Sequence, residues 1–149
     1  MKRHLLLSAI LAVLLLLPAT AWAQLTIVGH YTGGNIFFDI ATFTKDGKKV
    51  ALLGISHKVS IAFRKDEWNT FAAIWQKAKR SKSDSFQFID SYKEAPSDGY
   101  RSLLTVAVGP GVQFTINDKA GTYVFVLPPK DFFRVDADIA KVATYLGSN

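Results

Sequence analysis

Residues 59–80 read VSIAFRKDEWNTFAAIWQKAKR, and this unit sets the architecture of the chain. The segment VSIAF at residues 59–63 is short and rich in β-branched and aromatic side chains, which predicts a strand. From Trp68 onward, apolar residues recur at helical spacing, which predicts an amphipathic helix that buries Trp68 and Trp75. Asp66 lies just before this stripe and can accept a backbone N–H, so we expect it to cap the helix.

A related unit follows in the second half of the chain. Residues 123–127 (YVFVL) predict a strand, and the two prolines after it end that strand because proline cannot donate to a β-ladder. A second apolar stripe then continues to Leu146. A shift of 65 residues superposes the two units without a gap and places Trp68 on Phe133.

Three more β-prone segments precede each unit, separated by short turns such as Lys45-Asp-Gly-Lys48, which is typical of a type I′ hairpin. Such short connections favour antiparallel pairing. The sequence therefore predicts an α+β fold of antiparallel sheets with two amphipathic helices, arranged as a tandem ββββα repeat with halves 24–82 and 83–149. A single antiparallel barrel or sandwich with two attached helices is the alternative.

The N-terminus has the pattern of a secretory signal peptide. Two basic residues precede an apolar run at Leu5–Leu17, which is shorter than the roughly 20 residues needed to span a bilayer. Small residues at Ala21 and Ala23 predict cleavage after Ala23. We therefore expect a signal peptide at residues 1–23 and a single exported domain at 24–149, periplasmic or secreted. The chain contains no cysteine, which excludes disulfides and thiolate chemistry.

Positive charge is concentrated in the first half of the chain. The formal net charge is +6, and residues 45–82 contain ten Lys or Arg against three Asp or Glu. Basic side chains that flank aromatic strands favour one positive sheet face for an anion. We expect a small non-enzymatic binding protein whose partner is an anionic envelope component or another protein. The candidate binding residues are Lys45, Lys48, Lys49, Lys58, Arg64, Lys65, Phe37 and Phe43.

Motifs for catalysis are scarce. The sequence has no nucleophile elbow, zinc-protease helix or phosphate-binding loop, so we assign no catalytic residue and expect no cofactor. His30 and His57 match no metal-ligand spacing, and no metal is expected. Asp39 lies in an otherwise apolar strand, and a buried carboxylate needs a partner or takes a raised pKa. A small periplasmic hydrolase that uses Asp39 is therefore an alternative function.

The predicted order of four strands and a helix, repeated once, resembles the topology of the Whirly and PUR-type nucleic-acid-binding folds. This resemblance implies a module for single-stranded nucleic acid, in which bases stack on aromatic side chains and phosphates pair with basic ones. Export argues against that partner, because an exported protein rarely meets nucleic acid.

Overall fold

A computed structural model describes residues 25–94 and 101–148 of the chain. The expected signal peptide at residues 1–23 lies outside these residues, as does the predicted turn after Glu94. Two four-stranded antiparallel sheets are each followed by one helix. The predicted α+β fold with a tandem ββββα order is therefore confirmed. Within the described residues neither sheet closes into a barrel, so the barrel alternative is wrong.

The strands of each sheet lie side by side in chain order. The first half consists of β1 (Thr26–Gly33), β2 (Ile36–Lys45), β3 (Lys48–Ile55), β4 (Val59–Phe63) and α1 (Lys65–Arg80). The second half consists of β5 (Gln87–Lys93), β6 (Leu103–Val108), β7 (Val112–Asp118), β8 (Gly121–Leu127), a 3₁₀ turn (Pro129–Asp131) and α2 (Phe132–Gly147). Between β2 and β3, Asp46 and Gly47 have φ values of 51° and 71°, as a type I′ turn requires.

The first strand of each sheet contains a β-bulge at the same place. In β1 the pairing with β2 shifts around Val28, and in β5 the pairing with β6 shifts around Ile89. Both bulged residues are apolar and pack against the core. Since a bulge increases local strand twist, this shared irregularity bends both first strands in the same way.

The two halves share one hydrophobic core. α1 packs mainly on β5 and β6, whereas α2 packs on β1, β2 and β3, so each helix covers the sheet of the other half. Trp68 and Trp75 are fully buried, as their helical spacing predicts. Phe38 of β2 stacks on Phe114 of β7 with ring centroids 4.7 Å apart. The halves are therefore intertwined rather than separate.

The start of α1 differs from the prediction. The N-cap residue is Arg64 and not Asp66. The carboxylate of Glu67, three residues later, accepts the backbone N–H of Arg64 at 2.6 Å. The helices also align differently: both have 16 residues, so Trp68 corresponds to the buried Val135. Phe133, which a uniform shift of 65 residues places on Trp68, is 82% exposed. One residue separates β4 from α1, whereas a proline and a 3₁₀ turn separate β8 from α2. Because these connections differ in length, the number of residues between equivalent positions is not the same in the helices as in the strands.

Candidate ligand-binding face of the first sheet

The first sheet has one face in the core and one face turned away from it. In β2, Phe38 and Ile40 point into the core, so strand alternation places Phe37, Ala41 and Phe43 on the opposite side. We call this side the outer face. Cross-strand pairing brings Leu52 of β3 next to Ala41 and Val50 next to Phe43, which extends the apolar strip across the sheet.

A groove of about 400 Å³ crosses the outer face. Its floor is largely apolar, and Leu25 and Ile27 on its β1 side are 50% and 46% exposed. Lys58 lies at the edge of the groove beside His57 and Asp39. The full lining is Leu25, Ile27, Asp39, Ala41, Leu52, Gly54, His57, Lys58, Val59 and Ser60.

A smaller hollow of about 230 Å³ continues the strip toward the β2–β3 hairpin. It contains Lys45 and Arg64, but also Glu67 and Glu94, so this end of the outer face is not purely basic. Burial raises the pKa of the Glu94 carboxyl, and this effect is only partly offset by hydrogen bonds to Ser102 and the Ala62 backbone.

Asp39 is held between two histidines at the other end of the groove. Its carboxylate is 7% exposed, and its Oδ1 lies 2.5 Å from Nδ1 of His30 on the neighbouring strand. Its Oδ2 lies 3.2 Å from Nε2 of His57 in the β3–β4 turn. The histidine side chains themselves are 52% and 76% exposed. A buried carboxylate thus supports two imidazoles that solvent and ligands can reach.

The β3–β4 turn is bent to bring His57 over Asp39. Ser56 and His57 both have positive φ, at 51° and 53°, a conformation that costs non-glycine residues of order 1 kcal/mol or more each. Ser56 is tied to β2, because its N–H donates to the carbonyl of Phe37 at 2.9 Å. The Phe37 ring contacts the rings of both histidines, with centroids 5.3 Å from His30 and 4.7 Å from His57.

The basic residues singled out from the sequence are distributed over several surroundings. Lys45, Lys48 and Lys58 are exposed. Alternation places Lys45 and Lys48 on the outer face, whereas Lys58 lies in the β3–β4 turn and lines the groove. Lys49 points to the other side, where its Nζ donates to Ser148 and lies over the Tyr145 ring. Arg64 pairs with Glu67 at 3.4 Å, and Lys65 is exposed at the start of α1.

Sequence reasoning did not connect His30 and His57 with Asp39. For His30 the signal was present in the first hairpin: a two-residue turn at Gly34 and Asn35 pairs Gly33 with Ile36, and counting back pairs His30 with Asp39. For His57 no comparable signal exists, because its position depends on the positive-φ backbone of the β3–β4 turn.

Within residues 25–94 and 101–148, no group of three or more His, Asp or Glu side chains is arranged to hold a metal ion. The described helices also include none with the length and apolar character to cross a membrane. No protein-family model and no curated protein matches this chain. The outer face is therefore the feature from which function is inferred.

Proposed function

We propose that this chain is an exported, non-enzymatic binding protein whose outer face holds an anionic lipid of the cell envelope. The observation that carries the proposal is an apolar strip on the outer face that has Lys58 in its groove and the paired Lys45 and Lys48 at its hairpin end. An apolar floor suits an acyl chain, and a cationic edge suits an anionic head group. The N-terminal sequence of residues 1–23 supports export, because it has the pattern of a cleaved signal.

The size of the electrostatic contribution makes the proposal testable. A lysine near an anionic membrane surface contributes about 1 kcal/mol, which is roughly fivefold in affinity. Replacing Lys45, Lys48 and Lys58 together by alanine should therefore weaken binding about 100-fold. The measurement is co-sedimentation with vesicles of phosphatidylcholine that contain phosphatidylglycerol, at low and at high salt.

A matched control removes the same charge from elsewhere. Lys82, Lys119 and Lys130 are exposed and lie outside the groove lining, so their triple alanine variant should bind nearly as the native chain does. Equal losses in the two triple variants would show an effect of net charge alone and would reject the outer face. Tighter binding to a single-stranded oligonucleotide than to vesicles would favour the nucleic-acid alternative.

A second candidate function is hydrolysis, which the contact between His30 and Asp39 favours. A carboxylate on Nδ1 holds an imidazole with Nε2 directed away from it, which is the arrangement of a general base. In this alternative His30 takes a proton from water, and Asp39 stabilises the resulting imidazolium. Asp39→Asn should then lower turnover of the lipid ester by orders of magnitude, and lipid that stays intact during prolonged incubation with the native protein would reject this candidate.

A further inference from the structure

The two oxygens of Asp39 are each used by a different histidine. Oδ1 contacts Nδ1 of His30, and Oδ2 contacts Nε2 of His57. Each imidazole has a second ring nitrogen that Asp39 does not use, namely Nε2 of His30 and Nδ1 of His57. Both side chains are more than half exposed, so these second nitrogens belong to the accessible part of the cluster.

The charge of this cluster depends on the two histidines. With both imidazoles neutral, the buried carboxylate gives the cluster a formal charge of −1, and each second nitrogen is a hydrogen-bond acceptor. With both imidazoles protonated, the formal charge is +1, and each second nitrogen becomes an N–H donor. Asp39 is the shared anchor in either state, so protonation changes the charge and the donors without requiring a new contact.

The surroundings add further positive charge. Lys58 borders the same groove. On the β1 side, a hollow of about 310 Å³ brings Arg134 and Lys141 of α2 toward His30. These two cations are balanced by acidic residues, with 3.3 Å from Arg134 to Asp131 and 3.2 Å from Lys141 to Asp138. The charged side chains that share these two hollows with the histidines are Lys58, Arg134, Asp138 and Lys141, and Asp131 pairs with Arg134.

The apolar groove includes Asp39 and His57 in its lining, whereas His30 lines the hollow on the β1 side. Ala41 follows Asp39 on the outer face of β2, and it pairs with Ile27 on one side and Leu52 on the other. An acyl chain with its head group at the histidines would therefore lie on these side chains, and burial of its methylene groups would favour binding.

We propose that His30, Asp39 and His57 form a phosphate-binding site, here called the phosphate seat, for the head group of the lipid. This site binds phosphate when both histidines are protonated. The seat takes a phosphodiester or phosphomonoester through N–H donors from both imidazoles and through the Lys58 ammonium. Binding is tighter in mildly acidic solution than in neutral solution. This inference rests on the proposed lipid-binding function, since it names the place of the head group in that ligand.

The test compares the native chain with the His30→Gln/His57→Gln double variant. Short-chain phosphatidylglycerol below its critical micelle concentration is titrated near about pH 5.5 and about pH 7.5, on either side of the usual histidine pKa. The native chain should bind at least about tenfold more tightly at the lower pH, because charge-assisted hydrogen bonds form only with the protonated rings. The double variant should lose that difference and bind more weakly than the native chain at the lower pH.

A second measurement needs no variant. The imidazole resonances of His30 and His57, followed by NMR over the same pH range, should titrate at higher pH when the lipid is present, because a bound phosphate favours the protonated rings. Inorganic phosphate alone should produce a smaller shift of the same sign. If phosphate alone binds as tightly as the lipid, the ligand is free phosphate and the groove plays no part.

The failure of this inference is distinguishable from failure of the proposed function. A double variant that keeps the full pH dependence, or histidine resonances that the lipid does not shift, would overturn the phosphate seat. If the triple lysine variant still loses binding in that case, the outer face binds lipid by its basic edge alone. Binding that weakens at low pH, with turnover that rises toward neutral pH, would instead favour the hydrolase candidate.

Discussion

The two sheets have the same strand order but different outer faces. The second residue after the β-bulge of β1 is equivalent to the second residue after the β-bulge of β5, so the rows of paired residues that start at these two positions correspond. The row of the first sheet is His30, Asp39, Gly54 and Ser60. The corresponding row of the second sheet is Ser91, Thr105, Thr115 and Val124. The titratable cluster is thus present in one half and replaced by neutral side chains in the other.

The inner faces, in contrast, are alike. Tyr31 and Tyr92 occupy corresponding positions in the first strands, and Leu53 of β3 corresponds to Phe114 of β7. Both halves must supply apolar groups to one shared core, because each helix packs on the sheet of the other half. The shared core therefore constrains the inner faces of both halves to be alike. The outer face of the first sheet is not under this constraint and can hold a ligand site.

The largest expected effect concerns corresponding positions in the two helices. Trp68→Ala should lower the free energy of unfolding by about 3–5 kcal/mol, because a fully buried indole leaves a large cavity. It also removes the hydrogen bond from Nε1 to the carbonyl of Ile139. Val135→Ala should cost about 2 kcal/mol, since fewer buried carbons are lost. Denaturant unfolding measures both, and equal losses would break the idea that the core contributions of the helices differ.

The second prediction concerns the residues that follow the two bulges. An added Cβ at Gly29 would collide with the Asp138 carboxylate of α2, so Gly29→Ala should cost about 1–3 kcal/mol through overpacking. The corresponding residue, Asp90, already carries a side chain, which forms an exposed ion pair with Lys77 and accepts the N–H of the adjacent Ser91. Asp90→Ala should therefore change stability by less than about 0.5 kcal/mol. A harmless Gly29→Ala would show that α2 does not approach β1 this closely.

The two corresponding tyrosines provide a third prediction. The Tyr31 hydroxyl donates to the buried Asp138 at 2.5 Å, and burial followed by this carboxylate raises the pKa of the tyrosine. The Tyr92 hydroxyl is also buried, but it makes no hydrogen bond among the described residues. Burial and, after it, the charge of Glu67 raise the pKa of Tyr92 as well.

Tyr31→Phe should therefore cost about 1–3 kcal/mol, because Oδ2 of the buried Asp138 loses its tyrosine donor while Lys141 remains on Oδ1. Tyr92→Phe should be neutral or slightly stabilising, since it loses no hydrogen bond to residues 25–94 or 101–148. Thermal or denaturant unfolding of the two variants gives the comparison directly. A large loss in Tyr92→Phe would contradict it and would indicate that a water satisfies that hydroxyl.

The smallest expected effect is a pH-dependent contact between the helices. Asp136 of α2 accepts hydrogen bonds from Trp75 and Lys79, each at 2.7 Å. Burial acts to raise the pKa of Asp136, but these hydrogen bonds outweigh burial and lower it. Because the folded pKa is lowered, the contact stabilises the protein above the unfolded pKa of about 4 and is lost as pH falls through the folded value.

Asp136→Asn should accordingly cost about 1 kcal/mol at neutral pH, and the difference from the native chain should vanish in acid. Asn69 is the corresponding residue of α1 and is exposed, so Asn69→Ala serves as the control and should show no such pH dependence. The measurement is the free energy of unfolding between neutral pH and about pH 3. A difference that persists in acid would mean that Asp136 acts through packing rather than through its charge.

The elements of this fold follow closely from local sequence. Period-two and helical spacing located the strands and both helices, and the Asp46-Gly47 turn was recognised from its type. The alignment of the two halves was harder to predict. The number of residues between equivalent positions changes along the chain, because of the bulges and because the connections before α1 and α2 differ in length. A uniform shift therefore matched a buried tryptophan with the exposed Phe133.

The candidate site was predictable only in part. Asp39 was recognisable as a charge in an apolar strand, and the basic residues of the hairpin were recognisable by composition. The sequence does not tell that Lys49 points toward α2 while Lys48 points away, unless the register of β3 is known. Nor does it tell that His57 turns over Asp39, because that contact depends on two positive φ angles.

Apolar periodicity and turn chemistry determined by themselves that this chain forms antiparallel sheets with two buried helix stripes. These features depend on neighbours within a few residues, and local sterics and hydrophobic burial are sufficient to select them. Tertiary structure alone decided that each helix covers the sheet of the other half, and that His57 reaches the Asp39 carboxylate that the first hairpin already pairs with His30. Those contacts join residues far apart in the chain, and only the packing of the whole core sets the distances between them.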